Sequence, residues 1–284
     1  MNDLVSIIIP TYNRAGSLAR AIESCIRQRY ANIEIIIIDD FSSDGTPQAA
    51  ADLALKDARV RSVRHDTNRG VSAALNTGIK NSRGLFLTFM DDDCELLPDA
   101  ITHELSVFSS LPETVRMVFG NIWIESVGNR AIYPINQKDR LIGEREILKG
   151  PYWLAGYIAW FGRRSLFTEN IFDEKLRLHM DMDLLLRVLF KGEKIFFHNK
   201  CLRINHEMQG ISTLSPEKLE VKEAFLAKHL IALGAYKKYL ARLYYCLGKD
   251  SRNVGDSGRA RKYFWEALKT RPLNFRYFLK AISS

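Results

Sequence analysis

Residues 33–40 read IEIIIIDD, a near-continuous β-branched run that ends in two aspartates. Alternation of apolar and polar residues would mark a strand with one wet face. This run does not alternate, so it predicts a strand over Ile33–Ile38 that is buried on both sides, as in a parallel sheet. On either side of it, Val5–Pro10 (VSIIIP), Val60–Arg64 and Leu85–Met90 read as further strands. Between them Ser17–Gln28 carries helical spacing through Leu18, Ile22, Cys25 and Ile26, and Thr46–Lys56 and Gly70–Asn81 read as helices. Strand and helix in alternation imply an α/β fold with a mostly parallel central sheet and helices on both faces.

Open sheets of this kind bind ligands beyond the carboxyl ends of their strands. Three such ends are polar here: Thr11-Tyr12-Asn13, Asp39-Asp40 and Asp91-Asp92-Asp93. Carboxylates are hard ligands, and Mg²⁺ or Mn²⁺ typically takes one or two of them and fills its other positions with water and phosphate oxygens. A strand-end Asp91-x-Asp93 therefore suits a metal–diphosphate site, although three adjacent acids also make an ordinary solvated turn. Asp39-Asp40 leads into Phe41-Ser42-Ser43-Asp44-Gly45-Thr46, where Asp44 or Thr46 can cap the next helix.

Beyond residue 115 the pattern is less regular. Met117–Glu125, Ile195–Phe197 and Cys201–Asn205 read as strands, Glu144–Lys149 as the opening of a helix, and Leu184–Phe190 as a helix begun near Asp181. Gly150–Arg164 is aromatic and glycine-rich. Asp183 and Arg187 are spaced for an i,i+4 ion pair. Asp181 is either a favourable helix N-terminal charge or a general base at a pocket mouth. His206 is either structural or placed to meet phosphate or metal.

The 284 residues are 46% hydrophobic and 26% charged, ordinary for a globular chain and unlike a disordered or disulfide-stapled one. Cys25, Cys94, Cys201 and Cys246 are scattered, which argues against zinc and for a reducing compartment. No leader pattern or spanning segment is apparent; the longest apolar candidate, Pro151–Gly162, is too short to cross a bilayer. The net charge of +8 is confined to residues 215–284, which hold 15 Lys/Arg and 6 Asp/Glu. From Pro216 onward the chain reads as helical with a break at Gly255–Gly258, and its basic residues are interleaved with aromatics from Tyr236 to Phe278. That mixture suits a bilayer interface, and equally a solvated helical face.

Taken together, the motifs resemble the family 2 glycosyltransferases, inverting enzymes of the GT-A fold. VSIIIPTYNR is similar to that family's opening strand and loop, EIIIIDDFSSDGT to its second-strand acidic motif, and NRGVSAALNTGI to its Asn-x-Gly helix motif. LTFMDDDCELLPD resembles its DxD strand end, HMDMDLLLR its late acidic motif, and LRINHEMQGIS its closing His region. The resemblance runs from about residue 4 to 213. It implies that Pro10, Thr11, Tyr12, Asp39, Asp40, Asn68, Asp91 and Asp92 line a nucleotide-sugar site. It further implies that Asp93, with Asp91 and His206, meets Mg²⁺ or Mn²⁺, and that Asp181 is the general base. Three positions depart from the pattern: Cys94 replaces a frequent aspartate, Leu75 a frequent arginine and Met180 the usual glutamate.

The activity implied by the resemblance is transfer of a single sugar, with a UDP-sugar as default donor, to a hydroxyl of a glycan or lipid-linked acceptor. Residues 1–214 would form the catalytic domain, with 1–115 holding the nucleotide and 116–214 the acceptor, and 215–284 a basic helical extension. The expected setting is cytoplasmic, with peripheral contact between 215–284 and anionic membrane, a homodimer as a further option and no nucleic acid partner. Residues 240–272 also resemble one tetratricopeptide helix pair, through Leu247-Gly248, Ala260, Phe264, Ala267 and Pro272. One such repeat cannot bury its own face. A Rossmann dehydrogenase would need G-x-G-x-x-G after the first strand, where this chain has Thr11-Tyr12-Asn13-Arg14. The alternative left standing is a catalytically degenerate nucleotide-sugar-binding or scaffold protein whose basic tail binds an anionic partner.

Overall fold

The computed structural model describes residues 2–126, 129–133, 138–149, 156–206, 216–274, 277 and 280. The chain forms two compact units. The first comprises Met1–Ile147, Pro151–Lys175 and Met180–Gln209; the second comprises Leu148–Gly150, Leu176–His179 and Gly210–Ser284.

In the first unit β1 (Val5–Thr11), β2 (Ile33–Asp39), β3 (Val60–Arg64) and β4 (Phe86–Phe89) are parallel neighbours in the order β3-β2-β1-β4. α1 (Ala15–Ile26), α2 (Thr46–Lys56) and α3 (Val71–Asn81) connect them. All seven residues of β2 are buried, as its unbroken apolar pattern requires. Glu34, the acid inside the run, accepts from Ser6 Oγ at 2.6 Å and from the Arg83 backbone and guanidinium at 2.6 and 3.1 Å. Burial alone would raise its carboxyl, but these bonds and the Arg61 charge hold it below the usual range.

The sheet continues through β9 (Trp160–Arg163), β6 (Val115–Ser126), β10 (Lys194–His206) and β5 (Cys94–Leu96), with β7 (Asn129–Tyr133) on β6 and β8 (Arg140–Ile142) on β10. β6 and β10 are parallel, whereas β9 is antiparallel to both β4 and β6. The two short strands expected at Ile195–Phe197 and Cys201–Asn205 are one strand, β10, whose pairing with β6 shifts register between His198 and Arg203. That irregularity interrupts the apolar pattern and hides the continuity. α4 (Ala100–Ser109) had no counterpart in the sequence reading, because the buried Glu104 sits within the apolar stripe of Ala100, Ile101, Leu105 and Phe108. The start of α5 (Glu144–Lys149), as far as Ile147, together with α6 (Arg164–Glu169) and α7 (Met180–Phe190), completes this unit.

The second unit holds α8 (Pro216–Leu233), α9 (Lys237–Asn253) and α10 (Ser257–Thr270). A turn at 234–236 breaks what the sequence presents as one helical stretch before Gly255. Asp256 caps α10 by accepting from Arg259 N at 2.8 Å. Ala241, Tyr245, Ala260, Phe264, Ala267, Leu268 and Tyr277 form the hairpin's core. Among the described residues no helix is long and apolar enough to cross a membrane.

One buried group makes the fold sensitive to acid. His198 in β10 is fully buried and its Nε2 has no hydrogen bond. Burial, reinforced by the neighbouring His103 and Arg203, pushes its pKa down to about 3. In the unfolded chain an imidazole titrates near 6.5, so across the interval the unfolded state binds the extra proton. The stability held by neutral His198 is therefore complete above about pH 6.5 and drains as pH falls toward 3. The slope from this group is at most about 1.4 kcal/mol per pH unit. Urea unfolding at neutral and mildly acidic pH should show a flatter acid limb in His198→Asn than in wild type. Superimposable limbs would remove His198 as a source of the acid sensitivity.

Candidate active site

Strand register gathers the polar ends at one sheet edge. Thr11 lies opposite Asp39, and Asp39 opposite Arg64. β4 runs alongside β1, with Met90 N donating to Ile8 O at 3.0 Å, so Asp91–Asp93 emerge beside the end of β1. Thr11 Oγ1 reaches across and donates to Asp92 Oδ2 at 2.6 Å. The loops after β1 and β2 are stitched together: Asn13 N donates to Ser42 Oγ at 2.9 Å and Ser43 N to Asn13 Oδ1 at 2.8 Å. Asn13 and Phe41 hold positive φ of 53° and 68°, a conformation that costs energy outside glycine. The stitched loops offer Tyr12 and Phe41 to solvent, each nearly half exposed, with the Arg64 guanidinium 5.6 Å from the Phe41 ring centroid. Pro10 is buried in β1 opposite Ile38.

Asp39 and Asp40 do different work. Asp40 is buried, and its carboxylate accepts from His65 Nδ1 at 2.7 Å, Arg69 N at 2.9 Å and Gly70 N at 2.7 Å. Gly70 has φ +86°, which glycine adopts without strain, at the point where the chain turns into α3. Asn68 Nδ2 donates to the Asp40 carbonyl at 3.2 Å, so Asp40 clamps the 65–70 loop to the end of β2. Asp39 Oδ1 accepts from Ser42 N at 2.9 Å, while Oδ2 is buried without a hydrogen bond, 3.5 Å from Arg64 Nε. The resemblance places both acids at the nucleotide-sugar site; by geometry Asp39 is the member with an unspent acceptor. Of the two capping candidates, neither is the N-cap of α2, which is Gly45, but Asp44 Oδ1 accepts from Thr46 N at 2.9 Å in the first turn.

The acidic cluster is the electrostatic centre of the site. Ligand atoms of Asp91, Asp93 and Cys94 all lie within 4.8 Å of one another. Tyr157 OH donates to Asp91 Oδ1. Burial, with the charges of Asp93, Asp92 and Asp181 added and the Tyr157 bond opposing, pushes Asp91 up to about 7. Burial and Asp93 likewise lift Asp92 to about 6, against the Thr11 bond and the Arg14 charge. Packed acids that resist ionisation are what a bound cation would relieve. Asp91 and Asp93 supply hard oxygen donors that fit Mg²⁺ or Mn²⁺. Burial and the same acids push the Cys94 thiol up, and its Sγ lies 3.7 Å from Asp93 Oδ1.

Asp181 opens α7, and its Oδ1 accepts from Met182 N at 2.8 Å. Its other oxygen faces Gly156, where an added Cβ would stand 3.2 Å away. Burial raises the Asp181 carboxyl, and its charge in turn acts on Asp91 and Tyr157. Asp181 thus joins the same electrostatic cluster although it lies 90 residues downstream of Asp91. Tyr157 bridges the two parts and was not singled out from sequence; the signal available was the aromatic, glycine-rich character of Gly150–Arg164. Asp183 and Arg187 form the expected ion pair at 2.9 Å, with Asp183 buried.

His206 N donates to Asp93 O at 3.2 Å, which places the residue beside the cluster. Its ring is engaged elsewhere, with Nε2 2.8 Å from Glu95 Oε1 and Nδ1 3.1 Å from Glu125 Oε2. Metal ligation by His206 would require one of these contacts to open. An open cleft lined by Arg14, Arg20, Asp44 and His206 lies beside the first loop. Leu75 is fully buried in α3 and supplies no polar contact. The rest of the closing motif, through Ser212, lies outside the described residues.

A parallel half joined to a mixed half that contributes Tyr157 and Asp181 is the arrangement of the GT-A fold. The fold matches S. aureus TarS 1–349 in complex with UDP-GlcNAc, with a TM-score of 0.73 over 98% of this chain and 88% of that one at 16% identity. Residues 6–169 match the model of Glycosyl transferase family 2. Escherichia coli K12 WcaA, named for colanic acid biosynthesis, is 34% identical over 80% of this chain and 82% of its own length. The GalNAc(5)-diNAcBac-PP-undecaprenol beta-1,3-glucosyltransferase of Campylobacter jejuni is 31% identical over 70% of this chain; the match spans 63% of that relative, less than two thirds of it. The chain belongs to glycosyl transferase family 2 and is a glycosyltransferase.

Proposed function

We propose that the protein is an inverting glycosyltransferase that moves one sugar from a nucleotide-diphosphate sugar, with UDP as the nucleotide, to a hydroxyl of a glycan or lipid-linked acceptor. The observation that carries this reading is the convergence of Asp91, Asp93, Tyr157 and Asp181 into one electrostatic cluster. The UDP-GlcNAc bound by TarS and the undecaprenol-linked substrate in the Campylobacter relative's name support the donor and acceptor classes.

In this reading the stitched loops present Tyr12 and Phe41 toward the base, and Asp39 accepts from the nucleoside. Asp40 and Asn68 keep the 65–70 loop in place, and Thr11 orients Asp92. Asp91 and Asp93 would hold Mg²⁺ or Mn²⁺, which would supply positive charge against the departing diphosphate. The acceptor hydroxyl attacks the anomeric carbon from the face opposite the diphosphate and passes its proton to Asp181. The new glycosidic bond forms as the sugar–phosphate bond breaks, with inversion. Desolvation raises Asp181's basicity, which favours that transfer. The basic extension, 215–284, would bring the enzyme to anionic membrane where lipid-linked acceptors reside.

Thermal unfolding with UDP, dTDP, GDP or CDP, each with and without Mn²⁺, tests the donor half. The expected result is stabilisation by UDP that requires Mn²⁺ and vanishes in Asp93→Ala. No shift with any nucleotide would favour the degenerate binding or scaffold reading.

A further inference from the structure

We propose that the outer face of α10, continued to Leu273, is a bilayer-interface surface that docks on anionic phospholipid. The proposal rests on the membrane contact inferred above and assigns it to particular residues. α10 is amphipathic by placement. Ala260, Tyr263, Phe264, Ala267 and Leu268 are buried in the hairpin core, while Arg261, Lys262, Trp265 and Lys269 are exposed. The exposed set follows i, i+1, i+4, i+8 spacing and so occupies one side of the helix. Trp265 keeps 42% of its surface in solvent, and Leu273, just past the helix end, is fully exposed beside Arg271 and Pro272.

Charge identifies the occupant. Residues 237–271 carry ten lysines and arginines against three acids. Such a surface is drawn to a layer of phosphates. An indole and a leucine set among cations fit the apolar–polar boundary of a bilayer, where aromatic rings settle at headgroup depth and basic side chains reach lipid phosphate. A nucleic acid would satisfy the cations and leave Leu273 without a partner. Lys269 also pairs with Glu266 at 2.8 Å, so part of its charge is already met within the helix.

The test uses the full chain and co-sedimentation with vesicles of phosphatidylglycerol and phosphatidylcholine in equal parts, against phosphatidylcholine alone. Wild type should bind only the anionic vesicles and release at high salt. Combined Arg261→Gln, Lys262→Gln and Lys269→Gln should weaken binding on the order of 100-fold. The same charge removed from α9 by Lys237→Gln, Lys238→Gln and Lys249→Gln should retain most of it. Trp265→Ser should weaken binding about tenfold, and the vesicle-induced blue shift of tryptophan emission should disappear in Trp265→Phe. Equal losses from the α9 and α10 sets would overturn the face assignment. Failure of wild type to bind, or tighter binding to an oligonucleotide than to the vesicles, would overturn the membrane surface. UDP and Mn²⁺ stabilisation in the same variants reports separately on the transferase reading. Its loss in wild type would refute that reading whatever the vesicles do.

Discussion

Asp181→Asn is expected to lower sugar transfer by about 10²–10⁴-fold, the usual contribution of a positioned general base. Nucleotide binding should be nearly unchanged. The substitution is close to isosteric, and the carboxamide oxygen it introduces can still accept from Met182 N, the bond that Asp181 makes at 2.8 Å. The amide cannot take the acceptor's proton at neutral pH, so the loss should fall on kcat while the UDP and Mn²⁺ thermal shift persists. If Asp181 serves only as a helix N-terminal charge, the outcome differs: a drop in Tm, worth up to about 2 kcal/mol at a partly buried helix end, with turnover near wild type. Assaying UDP release with donor and acceptor supplied, beside thermal unfolding of the same samples, separates the two. Gly156 offers an independent probe of the same geometry. A side chain there would press on Asp181 Oδ2.

The parallel half of the fold was legible because its strands bury both faces and need no partner information to be recognised. IEIIIIDD could hardly be anything else, and β1 through β4 and α1 through α3 fall within a few residues of where their patterns put them. The strand-end rule also gathered Thr11, Asp39 and Asp91–Asp93 correctly, since it depends only on strand direction. What the sequence hid was pairing over long distance. β5, β8 and β9 have three or four residues each, too few for a periodic signal, yet β9 and its preceding turn are what bring Tyr157 to Asp91. Asp40 illustrates a subtler gap. Its residue type announces an acid at a strand end, but only the His65, Arg69 and Gly70 contacts reveal a carboxylate already spent on holding a loop.

Arg203→Met should be the most destabilising single change in the first unit, by about 3–5 kcal/mol, because it strands a buried carboxylate. Arg203 and Glu104 are both fully enclosed and joined at 2.7 Å across 99 residues of chain. Arg203 also donates to Thr88 Oγ1 at 2.6 Å, and Thr88 Oγ1 donates to Trp160 O at 2.9 Å. One guanidinium therefore ties β10 to α4, β4 and β9, the strands that carry His206 and the two approaches to the acidic cluster. The pair is not generously solvated by its surroundings: Glu104 Oε2 and Arg203 Nε have no hydrogen bonds, and burial raises the Glu104 carboxyl even against the Arg203 charge. In such a balance the desolvation cost rivals the attraction, so the pair fixes which strands meet more than it adds to stability. A second, sharper expectation comes from that balance. Adding Glu104→Leu to Arg203→Met should restore most of the lost stability in urea unfolding, because the orphaned carboxylate is gone. A double variant as unstable as the single one would mean that the Thr88 link and the packing of the guanidinium, rather than the paired charge, hold these strands together.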